Sequence, residues 1–263
     1  MAFEFHKDKP RYFQWQYLTA RDYIIPFVEE VMPLKKDMRV LEIGCGEAGV
    51  LKAFIEKGCI ATGIELYERR VETAKEYLKE DHDAGRIDFI TRNIYDIDVE
   101  KDIGHGFDLI VLKDVIEHIP GQKRFIPKLR EFLNPNGKVF FGFPPWRMPF
   151  GGHQQNLKGK FLSKLPYFHL LPTGMYRSVL KSFGEDQQKV DHMIEIKETG
   201  ISIGRFEKIS KASGYTILKK KHWLFNPIYK FKFGLKPARQ LPIADSVPYL
   251  RDFYTTAVYY LIG

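Results

Sequence analysis

The chain of 263 residues is 44% hydrophobic and 14% aromatic. That composition supports one large α/β domain with a hydrophobic core and excludes disorder as a description of the whole chain. Its longest uncharged run, 165–176, is shorter than the roughly 20 apolar residues that a membrane-spanning helix needs. The N-terminus, MAFEFHKDKPRYF, lacks the apolar core of a secretion signal, and two cysteines, Cys45 and Cys59, are too few for a disulfide framework or a metal cage. A cytoplasmic protein is therefore expected.

The net charge of +8 is unevenly distributed. Residues 1–145 carry 22 Lys and Arg against 25 Asp and Glu, whereas residues 146–263 carry 19 against 8. Residues 208–244 contain nine basic residues and no acidic one, with Trp, Tyr and Phe between the lysines. Such a segment attracts a nucleic acid, an acidic membrane surface or an anionic substrate, although a solvated lysine-rich face is an equally ordinary explanation.

The order of predicted elements indicates one domain in four parts. Residues 1–34 predict a helical cover rich in aromatic side chains, and residues 38–143 alternate strands with helices. Residues 144–200, rich in Pro, Gly and aromatic residues, predict a lid that binds the acceptor. Residues 201–263 predict a helix and strands. The predicted strands are MRVLEIG, IATGIE, IDFIT, FDLIVL, GKVFFGF, YTILKKK and FYTTAVYYLI.

These strands predict an α/β fold with a doubly wound, mostly parallel seven-stranded sheet, because continuous apolar strands alternate with helices. The last two strands are expected to pair antiparallel, since the connection between them has no convincing crossover helix. Alternation in 229–233, YKFKF, favours a further strand with one buried face. Ligands of such a sheet bind at the carboxyl ends of its strands.

The most specific motif is VLEIGCGEAG, residues 40–49, at the junction of the first strand and its helix. Gly44 and Gly46 allow a tight turn and a close approach of a ligand to the backbone. With Gly49 and with Glu65 at the end of the next strand, the motif also satisfies the fingerprint of dinucleotide-binding proteins, so a NAD(P)-dependent oxidoreductase is one alternative. Against it, Glu42 would crowd a pyrophosphate, whereas it suits a ligand with an ammonium group.

Two further segments, LKDVIEHIP at 112–120 and LNPNGK at 133–138, follow in order. Together with the glycine loop and FDLIVL they resemble the class I S-adenosylmethionine-dependent methyltransferases, most closely the branch with a Glu-His pair after strand four. The resemblance covers about residues 38–143. It implies a Rossmann-like methyltransferase fold with S-adenosylmethionine as cofactor. It also implies methyl transfer to oxygen or nitrogen of a small or medium-sized acceptor.

The resemblance also implies a cofactor site. Gly44 and Gly46, with Glu42 nearby, would line the methionine end, while Cys45 fills space within the loop. Glu65 would accept the ribose hydroxyls, and Leu66 would pack on the adenine. The remaining positions are Asn93, which replaces the usual Asp facing the adenine amine, Ile94, which would present a backbone amide beside it, and Lys113, on the methyl-transfer side.

Two histidines are candidate general bases, His118 after the fourth strand and His153 after the fifth. A base is needed when the acceptor is a hydroxyl or an ammonium group; otherwise His118 would only bond a loop and His153 would anchor the lid. With Asp114 and Glu117 these histidines would also suit Mg²⁺, Mn²⁺ or Zn²⁺. The same string occurs in family members without metal, so no metal is assigned. A silent cofactor-binding module that acts through its basic face is the non-enzymatic alternative, and no feature indicates an oligomeric state.

Overall fold

The structure, a computed structural model, describes residues 8–263. Eight strands form one mixed sheet: β1 Arg39–Ile43, β2 Ile60–Glu65, β3 Ile87–Thr91, β4 Phe107–Lys113, β5 Leu133–Phe143, β6 Ile217–Phe225, β7 Ala238–Arg239 and β8 Ala257–Ile262. Their order across the sheet is β3-β2-β1-β4-β5-β8-β6-β7. The doubly wound α/β prediction is confirmed.

Strands β1 to β5 pair in parallel, and β8 runs antiparallel to both β5 and β6. The expected antiparallel pairing of the two C-terminal strands is thus present. The sheet has eight strands rather than seven because the two-residue strand β7 adds to the edge of β6. A strand of two residues is too short to produce an alternating apolar pattern, so the sequence carries no signal for it.

Helices cover both faces of the sheet, and each face has its own hydrophobic cluster. The helices are α1 Lys9–Thr19, α2 Ile25–Glu29, α3 Gly49–Glu56, α4 Glu68–Tyr77, α5 Lys79–Asp83, α6 Gln122–Lys128, α7 Thr173–Ser182, α8 Gln187–Thr199, α9 Ile203–Ala212, α10 Tyr229–Phe233, α11 Pro242–Ser246 and α12 Leu250–Tyr254. Side chains of α2, α3 and α4 pack on one face, and those of α6 and α9 on the other. None of the helices within 8–263 is both long and apolar enough to cross a bilayer.

The N-terminal cover begins with α1, which the Asp8 side chain caps by accepting a hydrogen bond from the Arg11 amide. Helix α1 packs on the start of α3, so close that a Cβ built on Gly49 would lie 2.5 Å from the Phe13 carbonyl oxygen. A π-helical turn, Ala20–Ile24, links α1 to α2. Residues 1–7 of the predicted cover lie outside the described part of the chain.

Residues 144–200 fold over the carboxyl end of the sheet as three short 3₁₀ turns followed by α7 and α8. They enclose a separate hydrophobic cluster that includes Leu162, Tyr176 and Met193. The Trp146 amide donates to the Ile201 carbonyl at 2.8 Å and so ties the two ends of this segment together.

The segment YKFKF is helix α10, so the prediction of a strand at 229–233 is wrong. Two rings explain the difference, because Tyr229 and Phe233 make an edge-to-face contact at helical i, i+4 spacing with centroids 5.3 Å apart. Gly234, at φ 69°, then ends the helix in a left-handed conformation. Alternation over five residues does not distinguish this turn of helix from a strand.

Replacing Gly49 by Ala tests the close packing of α1 on α3. The new methyl group would overlap the Phe13 carbonyl, so we expect the free energy of unfolding to fall by about 1–3 kcal/mol. Gly204→Ala in α9 is the control, because a Cβ there meets no atom within 4 Å. The control should leave stability unchanged or raise it by up to about 1 kcal/mol in urea unfolding. Equal stability of the two variants would contradict the packing.

Candidate functional site

The glycine loop after β1 forms one wall of a crevice at the carboxyl end of the sheet. Gly44 and Gly46 have φ angles of 70° and 55°, which favour glycine. A Cβ on Gly44 would lie 2.7 Å from Val115 on the loop after β4, so this glycine lets the two loops meet. At Gly46 the nearest atom to such a Cβ is the Arg70 guanidinium at 3.6 Å. Gly44 is exposed although a side chain there would meet Val115, whereas Gly46 is buried and has space for a Cβ beside Arg70.

Glu65 joins this loop to the end of β2. One carboxylate oxygen accepts a hydrogen bond from the Gly46 amide at 2.9 Å, and the other accepts from the Leu66 and Tyr67 amides at 2.8 and 3.2 Å. Leu66 and Tyr67 are nonetheless 60% and 66% exposed. A buried carboxylate beside exposed apolar side chains offers acceptors for hydroxyl groups and a surface for a planar ring.

Asn93 and Ile94 follow β3 at the same edge. The Asn93 side chain accepts from the Tyr95 amide at 3.1 Å and caps the 3₁₀ turn Ile94–Asp96. Ile94 is buried in the hydrophobic cluster under the sheet. Asn93 therefore performs the turn-capping role, and its exposed amide also faces solvent beside the crevice.

Two buried charged side chains lie beneath the crevice. Glu42 is 3% exposed, and one of its oxygens has no hydrogen-bond partner among the described residues. Burial raises the pKa of Glu42 well above its ordinary value, and the nearby Lys113 ammonium opposes that rise. Lys113, whose side chain is 5% exposed, pairs with Asp114. An uncompensated acid of this kind is costly unless a cation comes to it. Cys45 is buried beside it and packs as expected.

A second group of polar side chains lies where the loops after β4 and β5 meet. Glu117, His118 and His153 each offer a ligand atom, and these atoms lie within 4.8 Å of one another. The two imidazole rings stack with centroids 4.9 Å apart. Both Glu117 oxygens and the His153 Nδ1 atom are buried without a hydrogen-bond partner in the described structure. Asp114, the fourth residue of the predicted metal set, pairs with Lys113 instead of joining this group.

The protonation of this group follows from its burial. Burial raises the pKa of Glu117 well above its ordinary value, and Asp114 adds to the rise. Burial lowers the pKa of His118, and it lowers the pKa of His153 to about 4. Both imidazoles are therefore neutral near pH 7, which is the form that accepts a proton or binds a cation.

Hydrogen bonds within the lid fix the chain next to His153. His169 is fully buried, donates through Nε2 to the Trp146 carbonyl at 2.8 Å and accepts at Nδ1 from the Gln154 amide at 3.4 Å. The same Gln154 side chain donates to the Pro149 carbonyl at 2.9 Å. Gln154 thus fixes the chain directly after His153, whose φ of 53° is left-handed.

Four residues near the site were missed by the sequence analysis. Gln16 lines a small cavity with Lys113, Asp114 and α3, and Tyr12 lies one turn earlier on α1. The Lys232 ammonium lies 5.0 Å from the centre of the Tyr12 ring, and Asp114 acts electrostatically on both Tyr229 and Lys232. Burial lowers the pKa of Lys232 to about 8. The only features of the sequence that pointed to these residues are the aromatic N-terminal segment and the alternating Lys and aromatic residues of 229–233.

The sheet order and the glycine-loop crevice together define a Rossmann-like fold of the class I methyltransferase type. A family model described as a methyltransferase domain matches residues 15–159. The chain therefore belongs to the family of class I S-adenosylmethionine-dependent methyltransferases. This membership confirms the resemblance seen in the motifs and decides against the dinucleotide interpretation of the glycine loop. The assignment to the branch with a Glu-His pair stays a prediction.

Curated relatives match part of the chain. The ubiquinone biosynthesis O-methyltransferase of Coxiella burnetii (strain Dugway 5J108-111) is 27% identical over 117 residues, covering 44% of this chain and 47% of that protein. The protein of the same name from Histophilus somni (strain 2336) is 28% identical over 132 residues, covering 46% and 53%. The chain thus spans about half the length of the curated relatives it matches.

Solved structures support the fold. Phosphoethanolamine N-methyltransferase 2 of Haemonchus contortus, in complex with S-adenosyl-L-methionine, superposes with a TM-score of 0.56 at 14% identity over 92% of this chain and 52% of that chain. Magnesium protoporphyrin IX methyltransferase of Synechocystis PCC 6803, with bound S-adenosylhomocysteine, superposes with a TM-score of 0.54 at 14% identity over 94% and 83%. At these identities the likeness concerns the fold alone.

His169 makes the stability of the lid depend on pH. Burial lowers its pKa from 6.5 to about 4, so the neutral ring stabilises the fold fully above pH 6.5 and this contribution is lost as the pH falls towards 4. The variant His169→Gln can keep both hydrogen bonds but does not titrate. We therefore expect its free energy of unfolding to decrease less between pH 6.5 and pH 4 than that of the wild type, by up to about 3 kcal/mol. Urea unfolding at several pH values between 4 and 6.5 measures this free energy. The exposed lid residue His192, replaced by Gln, should leave the pH profile unchanged; identical profiles for all three proteins would contradict the prediction.

Proposed function

We propose that this protein transfers a methyl group from S-adenosylmethionine to an oxygen atom of a small-molecule acceptor. The observation that carries the proposal is the juxtaposition of two sites at one edge of the sheet. The crevice at Gly46 and Glu65 has the acceptors and the apolar surface that a nucleoside needs, and the group of Glu117, His118 and His153 lies across Lys113 and Asp114 from it. The name of the curated relatives, O-methyltransferase, favours oxygen over nitrogen.

Residues of the crevice would hold the cofactor by complementary charge and hydrogen bonding. The Glu65 oxygens have lone pairs left for the ribose hydroxyls, and Leu66 would cover the adenine. The unpartnered oxygen of Glu42 would accept from the ammonium group of the methionine end, which would also favour the ionised form of this buried acid. Asn93 and the Ile94 amide would contact the adenine edge.

When bound, S-adenosylmethionine supplies a methyl group on a sulfonium ion that is already activated. The protein therefore mainly aligns the acceptor oxygen with this methyl group and excludes water. Alignment alone is worth about 7–11 kcal/mol in well-oriented reactions. A hydroxyl acceptor must also lose its proton, and His118 and His153, neutral and stacked at this edge, are positioned as general bases.

The same group fits a divalent cation. A carboxylate with two unpartnered buried oxygens and two neutral imidazoles form a donor set of the kind that Zn²⁺ and Mn²⁺ accept in proteins. Glu117, His118 and His153 would hold the ion, and Asp114 would not. A bound ion would act as a Lewis acid on the acceptor oxygens and favour their deprotonation. It would also relieve the cost of the buried Glu117 carboxylate.

The cofactor assignment is tested by Glu65→Gln, which preserves size but removes one of the two carboxylate oxygens. We expect the affinity for S-adenosylhomocysteine in calorimetry to fall at least about tenfold, because a charge-assisted pair of hydrogen bonds to the ribose is lost. Glu68→Gln on the exposed face of α4 is the control and should bind as the wild type does. Unchanged affinity of the Glu65 variant would remove this residue from the site. Binding of the cofactor without turnover of any acceptor would favour the silent module.

The metal assignment has a readout that does not require activity. Wild-type protein should retain Zn²⁺ or Mn²⁺ after dialysis, and Glu117→Gln and His153→Gln should each weaken binding at least about tenfold, since even outer-shell partners of metal ligands are worth that much. His82→Gln, on the far side of the sheet beside Phe89, is the control. Elemental analysis and calorimetry with the metal alone provide the measurement. Wild-type protein that binds neither ion, or equal binding by all variants, would overturn the assignment.

A further inference from the structure

The segment 241–254 exposes an unusual amount of hydrocarbon. Six large apolar side chains in it are between 42% and 83% exposed: Leu241, Ile243, Val247, Tyr249, Leu250 and Tyr254. We call them the apolar face of α11 and α12. Ordinary surface helices direct such residues inwards. A surface that concentrates them marks an interaction site.

The polar side chains of α12 are inside instead. Arg251 and Asp252 are 8% and 1% exposed, whereas Leu250 and Tyr254, one helical turn apart, face solvent. Arg251 donates to Glu207 at 2.7 Å, and Asp252 accepts from the Ile203 amide at 3.2 Å. These internal contacts fix the rotation of α12 about its axis. Leu250 and Tyr254 therefore face solvent.

Helix α11 is also bonded to the sheet through a side chain. Asp245, whose side chain is 39% exposed, bonds His222 on β6, whose other ring nitrogen lies 2.9 Å from the Tyr260 hydroxyl. Ile243, two residues earlier, is the most exposed of the six side chains, at 83%. Helix α12 thus turns its charged groups inwards, and both helices expose hydrocarbon to solvent.

The charge around this face is basic. Residues 208–244 contain no acidic residue, and Lys208, Lys236 and Arg239 are exposed. The carboxylates close to the face are paired: Glu207 with Lys220 and Arg251, Asp252 with Arg147, and the partly exposed Asp245 on α11 with His222. Exposed hydrocarbon flanked by Lys and Arg is the pattern of interfacial segments on anionic lipid.

Nucleic acid fits this surface less well. Binding of unpaired bases needs exposed aromatic rings between the lysines. Trp223 is 4% exposed, and the two exposed rings of the basic segment, Phe225 at 41% and Phe233 at 47%, lie on different elements, β6 and α10. The side chains that the apolar face does expose are mainly aliphatic, and these have no stacking surface for bases.

We propose that the apolar face of α11 and α12 docks this protein on an anionic lipid bilayer. The six apolar side chains enter the headgroup boundary, and the flanking basic residues contact the lipid phosphates. The docked face is continuous with the lid: the Arg147 guanidinium lies 3.9 Å from the centre of the Tyr249 ring, and the Tyr167 hydroxyl donates to the Phe253 carbonyl at 3.0 Å. Docking therefore places the lid that carries His153 next to the bilayer, where lipid-soluble acceptors are found. Docking does not depend on the proposed methyl transfer.

Vesicle co-sedimentation of the full chain tests the proposal. The wild type should sediment with vesicles of phosphatidylcholine and phosphatidylglycerol and far less with phosphatidylcholine alone. The double variant Ile243→Glu, Leu250→Glu should lower the partition coefficient at least about tenfold, because two apolar side chains no longer enter the lipid. Lys236→Glu with Arg239→Glu should weaken binding only to the anionic vesicles. Each variant must keep the S-adenosylhomocysteine affinity of the wild type, so that loss of fold is not mistaken for loss of docking.

Val31→Glu with Leu218→Glu, two exposed apolar residues outside both 241–254 and the lid, is the matched control and should sediment as the wild type does. Several outcomes would overturn the proposal. These are no sedimentation of the wild type, an equal loss in the control, or binding that the double variant does not weaken. A dimer in light scattering that the double variant dissociates would identify a second copy as the occupant, and retention on RNA but not on vesicles would identify a nucleic acid.

Discussion

The carboxylate of Glu65 is the contact on which the candidate site depends. By accepting hydrogen bonds from the amides of Gly46, Leu66 and Tyr67, it connects the loop after β1 to the end of β2. Gly44 in turn lies close to Val115 on the loop after β4, where a side chain would not fit. One side chain therefore sets the shape of the crevice before any ligand arrives, which is how a binding site avoids an ordering cost.

The site also contains buried carboxyl groups with oxygens that lack a hydrogen-bond partner in the described structure. Glu42 and Glu117 are both buried, and each has carboxyl oxygens without a hydrogen-bond partner within residues 8–263. Burial raises the pKa of both acids. Such groups are costly in a folded protein, so their presence at a sheet edge marks the positions where the fold has been adapted to ligands. Glu42 lies near Lys113 and Glu65, and Glu117 lies beside the two imidazoles.

The sequence predicted what depends on local pattern. The strands of the parallel sheet, the glycine loop and the Glu117-His118 turn are encoded within a few residues, and the edge rule for parallel strands placed His153 near them. It did not predict Tyr12 or Lys232, because these reach the site through packing of α1 and α10 on distant elements. It also did not predict the ring contact of Tyr229 with Phe233 that accompanies the helix in YKFKF, or the pairing of Asp114 with its neighbour Lys113 rather than with the imidazoles. The pattern of apolar and polar residues along the sequence does not reveal such contacts.

The lid has a hydrophobic cluster of its own, distinct from the two clusters that sandwich the sheet. Leu162, Tyr176 and Met193 pack with one another, whereas the glycine loop rests on the sheet. The packing inside residues 144–200 is therefore distinct from the packing on the two faces of the sheet. A substitution inside this third cluster would first disturb residues 144–200, whereas the glycine loop, which bonds to the end of β2, would be affected only indirectly.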